Sequence, residues 1–135
     1  MIEVRVDVRP LRREDEPLLF GLARLDRGAD RRTLDVLEGE TVFVAEVGGA
    51  PAGYVAVELT EVSARVDQLF VSPEHEAEGV GKRLLEYAEG YAISQGAATL
   101  QVVVEDENRR AHDFYRGRGF VSVGENVLEL VLPQA

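Results

Sequence analysis

Two periodicities alternate along this chain, and that alternation limits the fold more than any other feature. In VRVDV near the N-terminus, Val4, Val6 and Val8 alternate with Arg5, Asp7 and Arg9, the period of two expected of a strand with one buried face. REDEPLLFGLARLD then changes to helical spacing, with Asp15 as N-cap, Pro17 in the first turn and Leu18, Leu22 and Leu25 on one stripe. A second short helix is expected over Arg31 to Leu37. From Thr41 the shorter period returns: TVFVAEV and AGYVAVEL read as two strands joined through GGAP by a Gly-Gly hairpin turn. VDQLFV, residues 66–71, is another strand, ended by Ser72-Pro73 because proline cannot donate to a ladder.

The next helix carries Leu84, Leu85, Ala88 and Ala92 at helical spacing, with Gly96 as its C-terminal cap. TLQVVVE is a nearly continuous apolar run and reads as a strand buried on both faces. NRRAHDFYRGRGF reads as a helix closed by glycine, and VSV with VLELVL supplies two final strands. The expected order is βααβββαβαββ, without repeat, low-complexity segment or linker. This is an α/β (α+β) chain with one mixed sheet flanked by helices, residues 1–135 forming a single domain.

Composition narrows the function. A chain of 135 residues with 45% hydrophobic content can build a core without staples. The absence of cysteine excludes disulfides, thiolate zinc sites and any covalent route through an enzyme thiol. Neither terminus carries a long apolar run, so a soluble, cytoplasmic protein is expected. A formal charge of −10 opposes nucleic-acid binding, which depends on neutralising phosphates. It favours cationic ligands such as amines, and equally it simply keeps a small protein in solution.

The stretch EHEAEGVGKRLL puts Lys82 and Arg83 in the first turn of a helix. The backbone dipole makes that end electropositive, so cations there cost a few tenths of a kcal/mol unless an anion sits in front of them. A Walker A loop fails twice, because Glu76 stands at its first glycine and Arg83 follows Lys82 where Ser or Thr is needed. A Rossmann fingerprint fails at Leu84, where it needs a third glycine. What remains is strand, proline, short loop, Gly-x-Gly and helix, a pattern whose free N–H groups suit an anionic ligand, although glycines also merely turn a chain.

Taken together, LFVSPEHEAEGVGKRLLEYAE and, further along, VVVEDENRRAHDFYRGRGF resemble the acyl-CoA-binding core of the GNAT family of N-acetyltransferases. That family follows a strand with a loop of pattern Q/R-x-x-G-x-G/A opening a helix. A second strand and helix then carry Asn, Ala, Tyr and a terminal Gly-Phe, here Asn108, Ala111, Tyr115, Gly119 and Phe120. The N-terminal strand, the helix entered through Asp15 and the VAEVGGAPAGYVAVEL hairpin fit as well, so the resemblance covers nearly the whole chain. Two departures stand in the loop: Glu76 replaces the usual Gln or Arg, and Ala77 the usual glycine, while Glu78 adds a further negative charge. A carboxylate about 6 Å from a phosphate costs roughly 1 to 3 kcal/mol, or about 5- to 100-fold in affinity. Lys82 or Arg83 would offset part of that cost.

The resemblance implies an N-acetyltransferase that uses acetyl-CoA as co-substrate and moves its acetyl group directly to a primary amine, small-molecule or peptide, of unidentified nature. It puts the CoA pyrophosphate on the backbone amides of Ala77 through Lys82, including Gly79, Val80 and Gly81, and pairs the pantetheine arm with the backbone of Leu69, Phe70 and Val71. Tyr115 would be the general acid for the thiolate, with ordinary aromatic packing as the alternative and Phe114 pointing elsewhere. Asn108 would meet the arm or the loop, or act as an N-cap, with Ala111 beside it. Among Asp67, Glu58 and Glu105, Asp67 is the favoured base. His75 and His112 have no carboxylate or cysteine partners at a metal-site or triad spacing, so no metal is expected. The four serines lie in no GxSxG context. A non-catalytic protein of the same fold, sensing CoA or a partner through a degraded donor loop, is the rival class. An exposed strand edge near VLELVL offers a surface for a homodimer under either reading.

Overall fold

The computed structural model describes residues 4–15 and 41–134. The two helices expected between the first strand and Thr41, including the one entered through Asp15, lie outside the described residues. The remaining elements follow the expected succession: β1 (Val6–Pro10), β2 (Thr41–Val47), β3 (Ala50–Leu59), β4 (Ser63–Val71), α1 (Val80–Ser94), β5 (Thr99–Val103), α2 (Arg109–Gly117), β6 (Val121–Gly124) and β7 (Val127–Val131). They make a mixed seven-stranded sheet of order β1-β2-β3-β4-β5-β7-β6. None of the described helices is long and apolar enough to cross a membrane.

The chain divides into two compact units, Met1–Val57 with Gln68–Ala88, and Glu58–Asp67 with Glu89–Ala135. In the first unit β1 pairs antiparallel with β2, and β2 with β3. Val6 and Val8 are buried as their alternation requires, whereas Val4 precedes the strand and is exposed. The β2–β3 turn runs through Gly48 and Gly49 at φ 59° and 82°, the two positive values that a type I′ turn demands and that glycine adopts without strain. The core gathers Phe43, Val44, Tyr54, Val55, Val57, Leu84, Leu85 and Ala88. The Phe43 and Tyr87 rings meet at 5.5 Å, and Tyr54 meets Phe70 at 5.8 Å while its hydroxyl donates to Gln68 Oε1 at 3.0 Å.

Close to Asp15 the first unit holds an ion-pair network that the sequence did not announce. Asp15 is buried in a 3-10 turn (Arg13–Asp15) and accepts both terminal nitrogens of Arg9, at 2.6 and 2.8 Å, and the Arg12 amide at 2.6 Å. Arg9 Nε reaches Glu46 on the neighbouring strand at 2.5 Å. The Arg9 hydrogen bonds, ahead of the opposing effect of burial, hold the Asp15 carboxyl down to about 2.

In the second unit β4 begins at Ser63, three residues before the expected start, because Thr60 and Ser63 close a tight turn: the Thr60 amide donates to the Ser63 carbonyl at 2.8 Å, and the Ser63 amide to the Thr60 hydroxyl at 3.1 Å. Ser63–Val66 pair parallel with Thr99–Val102, and β5 and β6 each pair antiparallel with β7. α1 ends as expected: Gly96 has φ 78°, and the Ala97 and Gly96 amides bond the Ala92 and Ile93 carbonyls at 3.0 Å each, a Schellman motif.

One expectation needs correction in this unit. The TLQVVVE strand is not buried on both faces: Leu100, Val102 and Val104 are buried, but Val103 is 61% exposed, so its apolar run covers one core-facing row and one open one. The sheet edge near VLELVL is β6, since β7 lies between β5 and β6.

Candidate functional site

In the first unit, β4 delivers Phe70 and Val71 to a turn that ends in the first turn of α1. The Ser72 amide donates to the Ala52 carbonyl at 2.8 Å, Pro73–His75 form a 3-10 turn, and the His75 amide closes it on the Ser72 carbonyl at 2.9 Å. Ala77 and Gly79 then take positive φ, 66° and 82°. Gly79 costs nothing in this conformation, whereas Ala77 bears the strain of a Cβ in left-handed space. The Arg83 amide bonds the Gly79 carbonyl at 3.1 Å, so Gly79 caps the helix and the amides of Gly79, Val80, Gly81 and Lys82 have no acceptor within it. Such a fan of N–H groups, with the helix dipole behind it, suits an anionic group.

The expected loop residues Ala77, Gly79, Val80, Gly81 and Lys82 therefore share one turn with Phe70 and Val71 of β4. Val80 is buried and anchors the helix start, while Lys82 is exposed. β3 passes very near this strand end: a Cβ built on Gly53 would lie 2.4 Å from the Phe70 carbonyl oxygen and 3.3 Å from Val71 Cα. A glycine inside a strand pattern signals such an approach.

The charges of the loop are arranged differently from expectation. Glu76 is exposed, but Glu78 is paired: its Oε2 lies 2.9 Å from His75 Nδ1. His75 does have a carboxylate partner, contrary to the sequence reading, and the i,i+3 spacing of His75 and Glu78 was the available signal. Arg83 Nη1 is bound to Glu86 at 3.1 Å, one turn along the helix, rather than to the loop glutamates. Glu78, Gly79, Lys82, Arg83 and Glu86 line an open groove of about 560 Å³ together with Val4, Arg5 and Val6.

In the second unit, α2 carries the remaining expected positions. Asn108 caps it, its side-chain oxygen accepting the Ala111 amide at 3.2 Å. Of the two roles open to this asparagine, the cap is the one observed. Tyr115 is buried and meets Phe114 and Phe120 edge-on at 5.1 and 5.3 Å; Phe114 touches it rather than pointing away. Burial pushes the Tyr115 phenol up to about 12, so it keeps its proton across the neutral range.

Asp67 is not a free carboxylate. Arg65, two residues earlier on β4, donates from Nε to Asp67 Oδ1 at 2.6 Å and from Nη2 to Glu58. One guanidinium thus holds two of the three candidate bases, and its own pKa is raised, first by the Asp67 hydrogen bond. Glu105 is exposed after β5, and its carbonyl accepts the Asn108 amide at 3.0 Å and lies 3.1 Å from His112 Nε2. Among the described residues no group of three His, Asp or Glu side chains stands ready to hold a metal. The first unit thus brings together the loop residues with Phe70 and Val71. The second holds Asn108, Ala111 and Tyr115 on one helix and Asp67 beside Arg65.

The model of the acetyltransferase (GNAT) family matches residues 6–120. Spermidine N(1)-acetyltransferase of Escherichia coli K12 is 33% identical over 98 residues, 70% of this chain and 53% of that protein. Among solved structures, the ribosomal-protein-S18-alanine N-acetyltransferase of E. coli superposes with a TM-score of 0.81 at 20% identity, covering 97% of this chain and 95% of that one. The PaiA N-acetyltransferase of Thermoplasma acidophilum, solved in complex with coenzyme A, gives 0.77 at 18% identity, covering 94% and 99%. The chain spans about half the length of the curated relatives it matches.

Proposed function

The chain belongs to the GNAT acetyltransferase family, and from that premise we propose that residues 1–135 act as one acyltransferase domain, moving an acetyl group from acetyl-CoA directly to a primary amine. The observation that carries the reading is the turn before α1, where left-handed Ala77 and Gly79 leave the amides of residues 79–82 free of helical acceptors. Those amides, with that of Ala77, take the CoA pyrophosphate. The backbone of Leu69, Phe70 and Val71 pairs with the pantetheine arm, and an N–H of this stretch polarises the acyl oxygen. Asn108 and Ala111, at the start of α2, are the positions the family pattern gives to the pantetheine arm or the loop.

Transfer proceeds by attack of the neutral amine nitrogen on the thioester carbonyl. A C–N bond forms, the C–S bond breaks and the CoA thiolate leaves. Asp67, held by Arg65, receives the proton that the amine loses, directly or through water, and Tyr115 gives its phenolic proton to the thiolate. A phenol pushed up to about 12 still carries that proton throughout the neutral range when the thiolate departs. With no cysteine in the chain, direct transfer is favoured over a thioester on the enzyme. The acceptor's class is supported by the acetylation of spermidine named for the E. coli relative and by the −10 charge of this chain, which draws cationic amines.

Calorimetric titration with acetyl-CoA tests the reading. Micromolar binding, tightened in Glu76→Arg because a carboxylate beside the pyrophosphate becomes a cation, is the expected result. No heat and no thermal stabilisation at millimolar acetyl-CoA in either protein would remove the acetyltransferase reading and leave the family fold put to another use.

A further inference from the structure

Glu78 brings a negative charge into the groove at the very turn whose amides are to hold an anion, and His75 is the group that meets it. Its imidazole Nδ1 lies 2.9 Å from Glu78 Oε2, with both side chains half-buried at 17% and 31% exposure. The Glu78 amide also bonds the His75 carbonyl at 3.4 Å, so main chain and side chain close the same turn around left-handed Ala77. The groove's other cations are engaged elsewhere or turned to water: Arg5 is bound to Asp7 at 3.0 Å, Arg83 to Glu86 at 3.1 Å, and Lys82 is exposed.

We propose that His75 is a positioning residue for the donor loop: paired with Glu78, its imidazolium cancels the carboxylate charge beside the amides of residues 79–82 and so sets how tightly they hold a pyrophosphate. The inference rests on the acyl-CoA reading of the same loop. The pair's own turn carries Glu74 and Glu76, and the charged groups that line the groove with Glu78 are Arg5, ahead of β1, and Lys82, Arg83 and Glu86 from α1. Imidazole is the ordinary side chain whose charge changes between about pH 5.5 and pH 8. With a protonated imidazole the pair is neutral and the loop accepts an anion; with a neutral one Glu78 stands uncovered and the anion is repelled.

The experiment is calorimetric binding of dephospho-CoA at about pH 5.5 and pH 8, since the 3′-phosphate of CoA itself titrates near pH 6 and must be absent. The natural protein is expected to bind about three- to tenfold more tightly at the lower pH. His75→Gln should bind weakly and equally at both values, and His75→Lys, charged throughout, tightly at both. Glu78→Gln should bind more tightly than the natural protein at pH 8, because the loop then carries no Glu78 charge that needs cancelling. The gain in His75→Lys and Glu78→Gln cannot come from misfolding. Any pH response due to His112 survives in His75→Gln, and survival of the whole response there overturns the proposal. So does His75→Lys, or Glu78→Gln, binding no better than the natural protein at pH 8. Binding that ignores pH overturns this inference alone, whereas no binding by any variant at either pH overturns the acyl-CoA reading with it.

Discussion

Gly53 on β3 stands so close to Phe70 on β4 that a methyl group added to it would lie 2.4 Å from the Phe70 carbonyl oxygen. The obstacle is backbone, which cannot rotate aside, and Leu84 Cδ1 closes the other flank at 3.2 Å. Gly53→Ala must therefore push β3 off the strand end that leads into the donor loop. Overpacking of this kind costs about 1 to 3 kcal/mol, and urea unfolding should show a lowered midpoint with an unchanged slope. Because Phe70 and Val71 are the displaced residues, acetyl-CoA affinity should fall as well; a variant as stable and as tight-binding as the natural protein would show that the strands part there without cost.

Ala77 presents the opposite case, a residue with a Cβ where the backbone is left-handed, φ 66°. Such a residue carries about 1 to 2 kcal/mol of strain, and glycine regains part of it while giving up some chain stiffness in the unfolded state. Ala77→Gly is expected to raise stability by about 0.5 to 1 kcal/mol and to leave the turn, and so acetyl-CoA binding, intact. Thermal unfolding with and without ligand reads both quantities, and a lowered midpoint would contradict the left-handed turn.

What was legible in the sequence is what repeats with a period. Val6 with Val8, and Leu84 with Leu85, Ala88 and Ala92, are buried where their spacing said they would be, because each such pattern refers only to its own strand or helix. Gly48-Gly49 and Gly96 were legible for the related reason that a positive φ is a local demand. The missed features all depend on register between segments. Arg65 spans Glu58 and Asp67 only because a turn at Thr60–Ser63 folds β4 back beside β3, and Arg9 finds Asp15 and Glu46 through a 3-10 turn and a neighbouring strand. Val103 misled for another reason: an unbroken apolar run has no period, so it cannot say which of its faces is covered.

The Asp15 network has a pH signature. In the unfolded chain this carboxyl titrates near its ordinary value of 3.8, and in the fold, held chiefly by the Arg9 hydrogen bonds, at about 2. Acidification therefore protonates the unfolded state first. The stabilisation is complete above the ordinary value and is lost as pH falls from there towards 2, a loss of roughly 2 kcal/mol. Asp15→Asn should lower stability at pH 7 and flatten the acid limb between pH 5 and 2, measured by urea unfolding at stepped pH. A parallel shift of the whole curve, with the acid limb unchanged, would place the titrating group elsewhere.

Tyr115 supplies the sharpest division between chemistry and packing. Its ring is wedged against Phe114 and Phe120, and Tyr115→Phe keeps every one of those ring contacts while removing the hydroxyl. A purely structural tyrosine predicts little change in turnover. A general acid predicts a kcat lowered by about 10²-fold or more, with acetyl-CoA affinity unchanged because the phenyl ring still fills its place. Since the phenol is pushed up to about 12 by burial, the natural enzyme should show no alkaline loss of rate from this group below about pH 10. The steady-state rates of the two proteins, compared across pH 6 to 10 on an amine acceptor found by screening, decide the matter: equal rates would assign the hydroxyl no part in protonating the thiolate.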